Sequence, residues 1–285
     1  MREIPLRGHR RIWYLRQDQR GMLLRRQVSH NSRKTIMEID KIYLGDCLEL
    51  MKEIPDKSID CIICDLPYGT TACKWDIVIP FKELWEQYKR IIKDNGAIIL
   101  FSKQPFTSDL ISSNRDMFRY ELIWEKTRAG NNMQVKKQPS AIHENIEVFY
   151  KKQPTYNDIK FTVDEKYIDK RKSIRDSFYK SEHYKGVMKR KADDGMRHPQ
   201  SILPFNSVWY KGMHPTQKPV ELIRYLIRTY TNEGDLVLDN CIGSGTTAIA
   251  AIKEKRHYIG MELNKEYFDI AYKRVKDELS NPTLF

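Results

Sequence analysis

The chain has 285 residues, of which 40% are hydrophobic, and it contains five cysteines. This length suits one sizeable domain with a smaller insertion, and no segment reaches the roughly 20 consecutive apolar residues that a membrane-spanning helix needs. The odd cysteine count argues against a disulfide framework and fits a reducing cytoplasm. The formal net charge of +12 favours a polyanionic partner, nucleic acid above all.

Residues 1–36 concentrate the positive charge, with nine Arg and one Lys against two acidic residues. Three interpretations are open: a basic arm on nucleic-acid phosphates, an Arg-rich transit peptide, or an extension ahead of a translation start at Met37. We favour the extension, because an organised sequence begins at Met37. We expect residues 1–36 to be mostly disordered and unnecessary for activity.

Strands and helices alternate from residue 37 onwards, apart from a stretch in the second half of the chain. In chain order, the patterns predict strand 41–47, helix 48–54, strand 58–65, helix 81–92 ended by 94–96, strand 97–102, helix 104–114, strands 118–124 and 144–150, helix 219–230, strand 235–239, helix 247–254, strand 257–263 and helix 264–279. This alternation predicts an α/β fold with a mostly parallel central sheet and helices on both faces.

The apolar strand 58–65 contains Cys61 and Cys64, which have the spacing of a metal or redox pair. No second pair accompanies them, so we expect both to pack in the core. The strand ends at Asp65, and Leu66, Pro67 and Tyr68 follow it directly. Open α/β sheets place their chemistry at the carboxyl ends of strands. The sequence therefore predicts either a reactive site here or merely a tight turn.

A second motif, "DLVLDNCIGSGTTAIAA" followed by "HYIGMELN", has the layout of a nucleoside-binding site. Gly243 and Gly245 allow a backbone to approach a ligand closely, and Glu262 follows Gly243 by 19 residues, where an acid can meet ribose hydroxyls. The third glycine of a dinucleotide cradle is absent, since Ala248 stands there. A ligand without a pyrophosphate, such as S-adenosylmethionine, is therefore favoured over a nicotinamide dinucleotide.

The motifs "DLPY", "HPTQKP", "DNCIGSGTT" and "MELN", in that order, resemble the amino-methylating DNA methyltransferases. The order resembles their beta group, in which the catalytic motif precedes the cofactor motif. The resemblance covers about 37–150 and 212–277, and it implies a Rossmann-like, S-adenosylmethionine-dependent methyltransferase fold with permuted motifs. Leu66 stands where the family usually has a first proline. Cys241 stands where it usually has an aromatic residue, which puts the cofactor affinity in doubt.

The resemblance implies four catalytic residues. Asp65 and the Leu66 carbonyl, held by Pro67, would accept hydrogen bonds from the target amine, and Tyr68 would stack on a flipped-out base. It also implies that no metal is needed and that the cofactor-binding residues are Asp46, Thr216, Lys218, Asp239, Gly243, Gly245, Thr246 and Glu262. Of these, Thr216 and Lys218 would hold the methionine carboxylate. Asp46 would reach the adenine edge, or would simply cap a helix.

Other residues have two readings each. His214 is more easily read as structural than as catalytic. His143 and Glu144 would frame the target-base pocket or merely start a strand. Trp75 and Trp124 would lie in the core, which we favour, or face the base.

The resemblance places 37–150 and 212–285 as the two halves of one methyltransferase domain. Between them, 151–211 would be a target-recognition insertion, or only a solvated basic segment. Residues 151–199 carry 14 basic and eight acidic residues, interleaved with Tyr and Phe. Lys and Arg there would contact phosphates, which position a protein on DNA without specifying sequence.

The expected activity is site-specific methylation of the 6-amino group of adenine in DNA, by a monomer or homodimer. The nearest alternative is the 4-amino group of cytosine, although cytosine enzymes of this family more often have Ser in place of Asp65. RNA and a protein glutamine amide are further alternative substrates. A catalytically silent DNA-binding protein is disfavoured by the intact motif at Asp65.

Overall fold

The computed structural model describes residues 37–69, 76–127, 136–162, 194–207 and 217–280, and two short strands ahead of them. These strands, β1 (Tyr14–Gln17) and β2 (Leu23–Arg26), pair antiparallel within a unit that ends at Thr35. They make up only a small part of the segment that we expected to be mostly disordered. The rest of 1–36 lies outside the described residues, so that expectation stays a prediction there.

The second unit, Ile36–Phe285, contains the remaining elements. They are β3 (Lys41–Leu44), α1 (Cys47–Leu50), a 3-10 turn (Met51–Glu53), β4 (Ile59–Asp65), α2 (Phe81–Ile91), β5 (Ile92–Ser102), α3 (Phe106–Ser113), β6 (Phe118–Glu125), β7 (His143–Phe149), β8 (Phe161–Thr162), β9 (Met196–Arg197), β10 (Ile202–Pro204), α4 (Val220–Tyr230), β11 (Leu236–Asp239), α5 (Thr246–Lys253), β12 (His257–Glu262) and α6 (Lys265–Ser280). Among the helices of the described residues, none is long and apolar enough to cross a membrane.

Eight strands form the central sheet, in the order β10-β6-β7-β5-β4-β11-β12-β3. The run from β5 to β3 is parallel throughout, and β7 is antiparallel to both of its neighbours. The predicted mostly parallel sheet is confirmed. The first half of the chain supplies β4 and the second half supplies β11, so the two halves meet in the middle of the sheet.

Strand β4 is buried on both faces and its side chains alternate between two apolar cores. On one face, Ile63 lies in the same core as Leu222 and Leu226 of α4. On the other face, Ile62 shares a core with Leu84 of α2 and Leu110 of α3. Helices therefore cover both faces of the sheet, as the sequence predicts.

Cys61 and Cys64 illustrate this alternation, because each belongs to a different one of the two cores. Both thiols are buried, and burial raises the pKa of each above its ordinary value. The expected core packing is confirmed.

Gly96 was expected to help end the helix before it, but it lies inside β5, which begins directly after α2 at Ile92. A Cβ atom at Gly96 would lie 2.7 Å from the carbonyl oxygen of Asp60 on β4. The glycine is therefore explained by the close approach of two strands. A glycine after Asp94 and Asn95 can indicate either a turn or a close approach of two strands, and the sequence alone does not distinguish them.

The segment 151–211 contributes one strand to the central sheet, since β10 pairs in parallel with β6 at its edge. No such strand was predicted. Strands β8 and β9 pair with each other in a separate two-stranded sheet. Residues 163–193 lie outside the described part of the chain, so the target-recognition role of this segment stays a prediction.

Candidate active site

Three neighbouring strands end in acidic side chains at one edge of the sheet. Asp65 ends β4, Asp239 ends β11 and Glu262 ends β12. Because these strands are parallel neighbours, their carboxyl ends lie side by side. All three acids line one cavity of about 410 Å³. The sequence motifs thus converge on a single site.

Both oxygens of the Asp65 carboxylate have partners within the protein. Oδ1 accepts a hydrogen bond of 2.6 Å from the Tyr68 hydroxyl. Oδ2 forms an ion pair with Nζ of Lys218. The carboxylate is therefore held from two sides, and a ligand that needs Oδ1 must take or share the position of the Tyr68 hydroxyl.

Lys218 is a buried cation between two acids. Its Nζ contacts Asp65, lies 3.4 Å from Oε2 of Glu144 and stands 5.0 Å from the centre of the Phe101 ring. Burial acts to lower the pKa of Lys218, but the charges of Asp65 and Glu144 outweigh it, so the pKa is raised. The ammonium therefore remains charged at neutral pH. Lys218 also lines the cavity, and its predicted contact with a methionine carboxylate stays a prediction.

Glu144 connects this pair to a second lysine. Its Oε1 forms an ion pair with Lys126, whose ammonium also lies 4.9 Å from the centre of the Trp124 ring. Burial acts to raise the pKa of Glu144, but Lys218 and Lys126 outweigh it and the pKa is lowered. Charges therefore alternate along the series from Lys126 to Asp65.

The two residues expected to frame a base pocket differ in position. Glu144 lines the cavity, whereas His143 is an exposed residue at the start of β7. Trp124 is buried in the core, and its indole N–H donates 2.9 Å to the carbonyl of Phe205. The core position favoured for Trp124 is confirmed.

The loop after Tyr68 is held at both ends. The Gly69 N–H donates 2.8 Å to Oδ1 of Asp76, and the Tyr68 ring lies 5.1 Å from that of Phe106. Gly69 has a φ of +67°, and a Cβ atom there would lie 2.9 Å from the side chain of Val78. A side chain at Gly69 would therefore crowd the loop. Trp75 falls in 70–75, outside the described residues.

The glycine loop is held by Asp239 at its start. The Asp239 carboxylate accepts 2.5 Å from the Thr247 hydroxyl and 3.1 Å from the Cys241 N–H. Burial raises the pKa of Asp239 to about 7, although these hydrogen bonds oppose the shift. Gly243 and Gly245 have φ values of 54° and 86°, which L side chains rarely adopt. Helix α5 then begins at Thr246, which lines the cavity.

Glu262 fixes the same loop from the neighbouring strand. Its Oε2 accepts 2.9 Å from the Gly243 N–H, and its Oε1 accepts 2.8 Å from the Asn264 N–H. Burial raises the pKa of Glu262, although these backbone donors oppose the shift. The glycine loop and this acid are thus in direct contact, and the predicted contact of Glu262 with ribose hydroxyls stays a prediction.

Asp46 has the helix-cap position that the sequence offered as one of two, and its contact with the adenine edge stays a prediction. It caps α1, since its Oδ1 accepts 2.8 Å from the Leu48 N–H, and it also lines the cavity. Thr216 and His214 lie outside the described residues, so their predicted roles stay untested.

Several lining residues were not singled out from the sequence. Gln217 accepts 3.0 Å from the Ser244 hydroxyl and so ties "HPTQKP" to the glycine loop. Asn240 accepts 2.5 Å from the Tyr88 hydroxyl beneath the same loop. Gln217 could have been found from its place in the motif, whereas nothing in the sequence distinguishes Tyr88 from any other core tyrosine.

Comparison with known protein families gives a match over residues 59–273. They match the family model for N6/N4 methyltransferases, which is described as DNA methylase. The type II methyltransferase M.BglII of Bacillus subtilis is 30% identical over 84% of this chain and 70% of its own length. The DNA adenine methyltransferase YhdJ of Escherichia coli K12 is 29% identical over 86% of this chain and 83% of its own length.

Solved structures show the same fold. A complex of M1.HpyAVI with SAM has a TM-score of 0.56 at 24% identity, over 82% of this chain and 98% of its own. The cytosine-N4-specific PvuII DNA methyltransferase has a TM-score of 0.57 at 16% identity, over 85% of this chain and 91% of its own.

Proposed function

From the premise that this chain belongs to the N6/N4 family of DNA methylases, we propose that it transfers a methyl group from S-adenosylmethionine to the 6-amino group of adenine in DNA. The observation that carries the proposal is the cavity itself. It is lined both by Asp65 and Tyr68 and by the glycine loop and Glu262. An amine acceptor and a nucleoside-like donor would therefore face one another.

The residues around the glycine loop fit S-adenosylmethionine. The cavity of about 410 Å³ falls within the roughly 300–1,000 Å³ of small-molecule sites. Glu262 would accept hydrogen bonds from ribose hydroxyls, and the bare backbone at Gly243 would allow close contact. When bound, S-adenosylmethionine supplies an electrophilic methyl group on a sulfonium centre.

The aromatic amine of a base is a weak nucleophile, because its lone pair is delocalised into the ring. Asp65 and the Leu66 carbonyl would accept its two hydrogens and favour a pyramidal nitrogen whose lone pair is free to react. Lys218 holds Asp65 Oδ2, which leaves Oδ1 as the oxygen for the amine. The acceleration would come from alignment and fixed charges, and the amine would lose its extra proton after methylation.

Tyr68 would receive the flipped base. Flipping costs a few kcal/mol, and stacking on an aromatic ring returns about 1–3 kcal/mol. The hydroxyl of Tyr68 now bonds to Asp65 Oδ1, so the arriving amine would replace it there. The released ring would then be free to stack on the base.

Adenine is favoured over cytosine by the aspartate at position 65, where related cytosine enzymes more often have serine. The relative YhdJ is a DNA adenine methyltransferase. The PvuII enzyme is cytosine-N4-specific, and it keeps the 4-amino group of cytosine as the second candidate.

The test is to incubate the protein with unmethylated genomic DNA and methyl-labelled S-adenosylmethionine, and then to identify the labelled nucleoside by mass spectrometry. We expect N6-methyl-2′-deoxyadenosine from the wild type and none from Asp65→Ala. Asp269→Ala is the matched control, because Asp269 is an exposed carboxylate that pairs with Lys265 on α6. Labelled N4-methylcytosine would correct the base, and cofactor binding without labelled DNA would favour a silent DNA-binding protein.

A further inference from the structure

Three cysteine thiols from different parts of the chain meet at the wall of the cavity. They belong to Cys47 at the start of α1, Cys64 on β4 and Cys241 after β11, and all three line the cavity. The side-chain amide of Asn240 lies 3.5 Å from Sγ of Cys47 and 3.6 Å from Sγ of Cys241. The same amide nitrogen thus brings the sulfurs of Cys47 and Cys241 to one point of the cavity wall.

The three thiols differ in reactivity. Cys64 is 1% exposed, and burial raises the pKa of its thiol to about 12. The pKa of Cys241 is also raised, first by its hydrogen bond to Cys47. That bond, helped by Asn240, lowers the pKa of Cys47 even though burial opposes the shift. Cys47 is therefore the best nucleophile of the three.

Both Cys47 and Cys241 are partly exposed, unlike Cys64. A small oxidant that enters the cavity can therefore reach either of them. We propose that Cys47 and Cys241 are a reversible oxidation site, at which a peroxide joins them in a disulfide and so closes the cavity to S-adenosylmethionine. This rests on the methyl donor assigned under the proposed function.

The chemistry takes two steps. The Cys47 thiolate attacks one oxygen of hydrogen peroxide and the O–O bond breaks. Hydroxide departs and takes up a proton to form water, and Cys47 becomes a sulfenic acid. The sulfur of Cys241 then attacks Cys47 Sγ, the S–O bond breaks, and the oxygen leaves as water. Two thiols are oxidised by two electrons in total, and one peroxide is reduced to two waters. A dithiol reductant reverses the change by thiol–disulfide exchange.

The disulfide would alter two walls of the cavity together. Cys47 directly follows Asp46, and Cys241 lies two residues before Gly243. A disulfide requires the two sulfurs to approach to about 2.0 Å, so its formation pulls α1 and the glycine loop towards each other. Both segments line the cavity. Because both thiols line the cavity, a ligand that occupies it should shield them from peroxide and slow the oxidation.

The test uses the whole protein and hydrogen peroxide, with two separate readouts. Peptide mapping should find a Cys47–Cys241 link, formed more slowly when S-adenosylmethionine is present. Calorimetry should show that oxidation lowers the affinity of the protein for S-adenosylmethionine about tenfold or more, a typical coupling between sites. Dithiothreitol should restore this affinity. Peroxide should lower the affinity of Cys47→Ser and of Cys241→Ser for S-adenosylmethionine less than about twofold. Each variant is compared with its own untreated sample.

Three results would overturn the proposal: no Cys47–Cys241 link, a link to Cys64 in its place, or the expected link with an unchanged affinity. DNA methylation is not measured, so an error in the target base leaves the test intact. If the untreated protein does not bind S-adenosylmethionine, the methyl donor of the proposed function is wrong. The inhibitory consequence then fails with it, whatever the mapping finds.

Discussion

Lys218 and Asp65 form a partly buried ion pair although 153 residues separate them in the chain. Asp65 ends a strand of the first half of the chain, and Lys218 lies just ahead of α4 in the second half. The pair therefore joins two sequence motifs into one site. It also gives Lys218 a position that the family resemblance did not imply.

We expect Lys218→Gln to lower turnover about 100-fold, the scale of losing one fixed electrostatic contact in an active site, because it leaves Asp65 and Glu144 without their shared cation. The affinity for S-adenosylmethionine should change less than about threefold, which is less than about 1 kcal/mol of binding free energy. Lys218→Arg should recover part of the turnover, because it restores the charge.

Single-turnover kinetics and calorimetry separate the two effects, and thermal unfolding checks that the variants fold. Lys152→Gln is the matched control, since Lys152 is exposed and lies 3.6 Å from Asp94. A large loss of cofactor affinity with normal turnover would return Lys218 to the methionine carboxylate.

Tyr68→Phe removes only the hydroxyl that bonds to Asp65, and it keeps the ring. We expect it to bind target DNA as well as or better than the wild type, because the amine no longer competes for Oδ1. Tyr68→Ala removes the ring and should weaken binding by about 1–3 kcal/mol. Fluorescence of 2-aminopurine at the target position reports the flipped base, and equal losses from both variants would contradict stacking.

Gly245 and Gly234 form a matched pair for testing the glycine loop, because both have positive φ values, of 86° and 83°. A Cβ atom at Gly234 meets nothing within 4 Å, whereas one at Gly245 would lie 3.1 Å from Cβ of Ala271. Gly234→Ala should therefore cost only the left-handed strain of about 1–2 kcal/mol. Gly245→Ala should lower the free energy of unfolding further, by about 1–3 kcal/mol. Equal costs in urea titrations would show that the contact with α6 is unimportant.

Glu147 should make stability depend on pH. It is fully buried, accepts 3.0 Å from the Ser102 hydroxyl, and burial raises its pKa from 4.5 to about 7. The folded state thus binds the proton more tightly than the unfolded state, so this stability is present below pH 4.5 and is lost as pH rises towards about 7. Glu147→Gln imitates the protonated form and should be about 2 kcal/mol more stable than wild type at pH 8. Unfolding curves of both proteins across this range test it, and parallel curves would refute it.

DNA affinity should fall steeply with salt, because the proposed recognition segment 151–199 has 14 basic and eight acidic residues and phosphate contacts release counterions. Between about 50 and 200 mM salt we expect at least about a tenfold loss. Fluorescence anisotropy with a labelled duplex measures this loss. A flat response would count against the segment as a phosphate-binding surface.

The sequence was sufficient to predict the three strand-end acids. A parallel sheet places successive strand ends at one edge, and local patterns reveal where each strand ends. It could not predict the partner of Lys218, because that contact depends on how two distant motifs meet and no local pattern encodes it. Gly96 was misread for a related reason, since the neighbour that requires a glycine there is the backbone of another strand.

The pairing of β4 with β11 has a consequence for synthesis of the chain on the ribosome. The N–H of Leu236 donates 3.0 Å to the carboxylate of Asp60 across 176 residues, so the middle of the sheet closes only when the last part of the chain has emerged. Until then β4 exposes an unpaired edge, and β3 lacks its neighbour β12. Such long-range pairing slows folding and leaves intermediates prone to aggregation. The edge of β4 is therefore open to incorrect pairing until β11 has been synthesised.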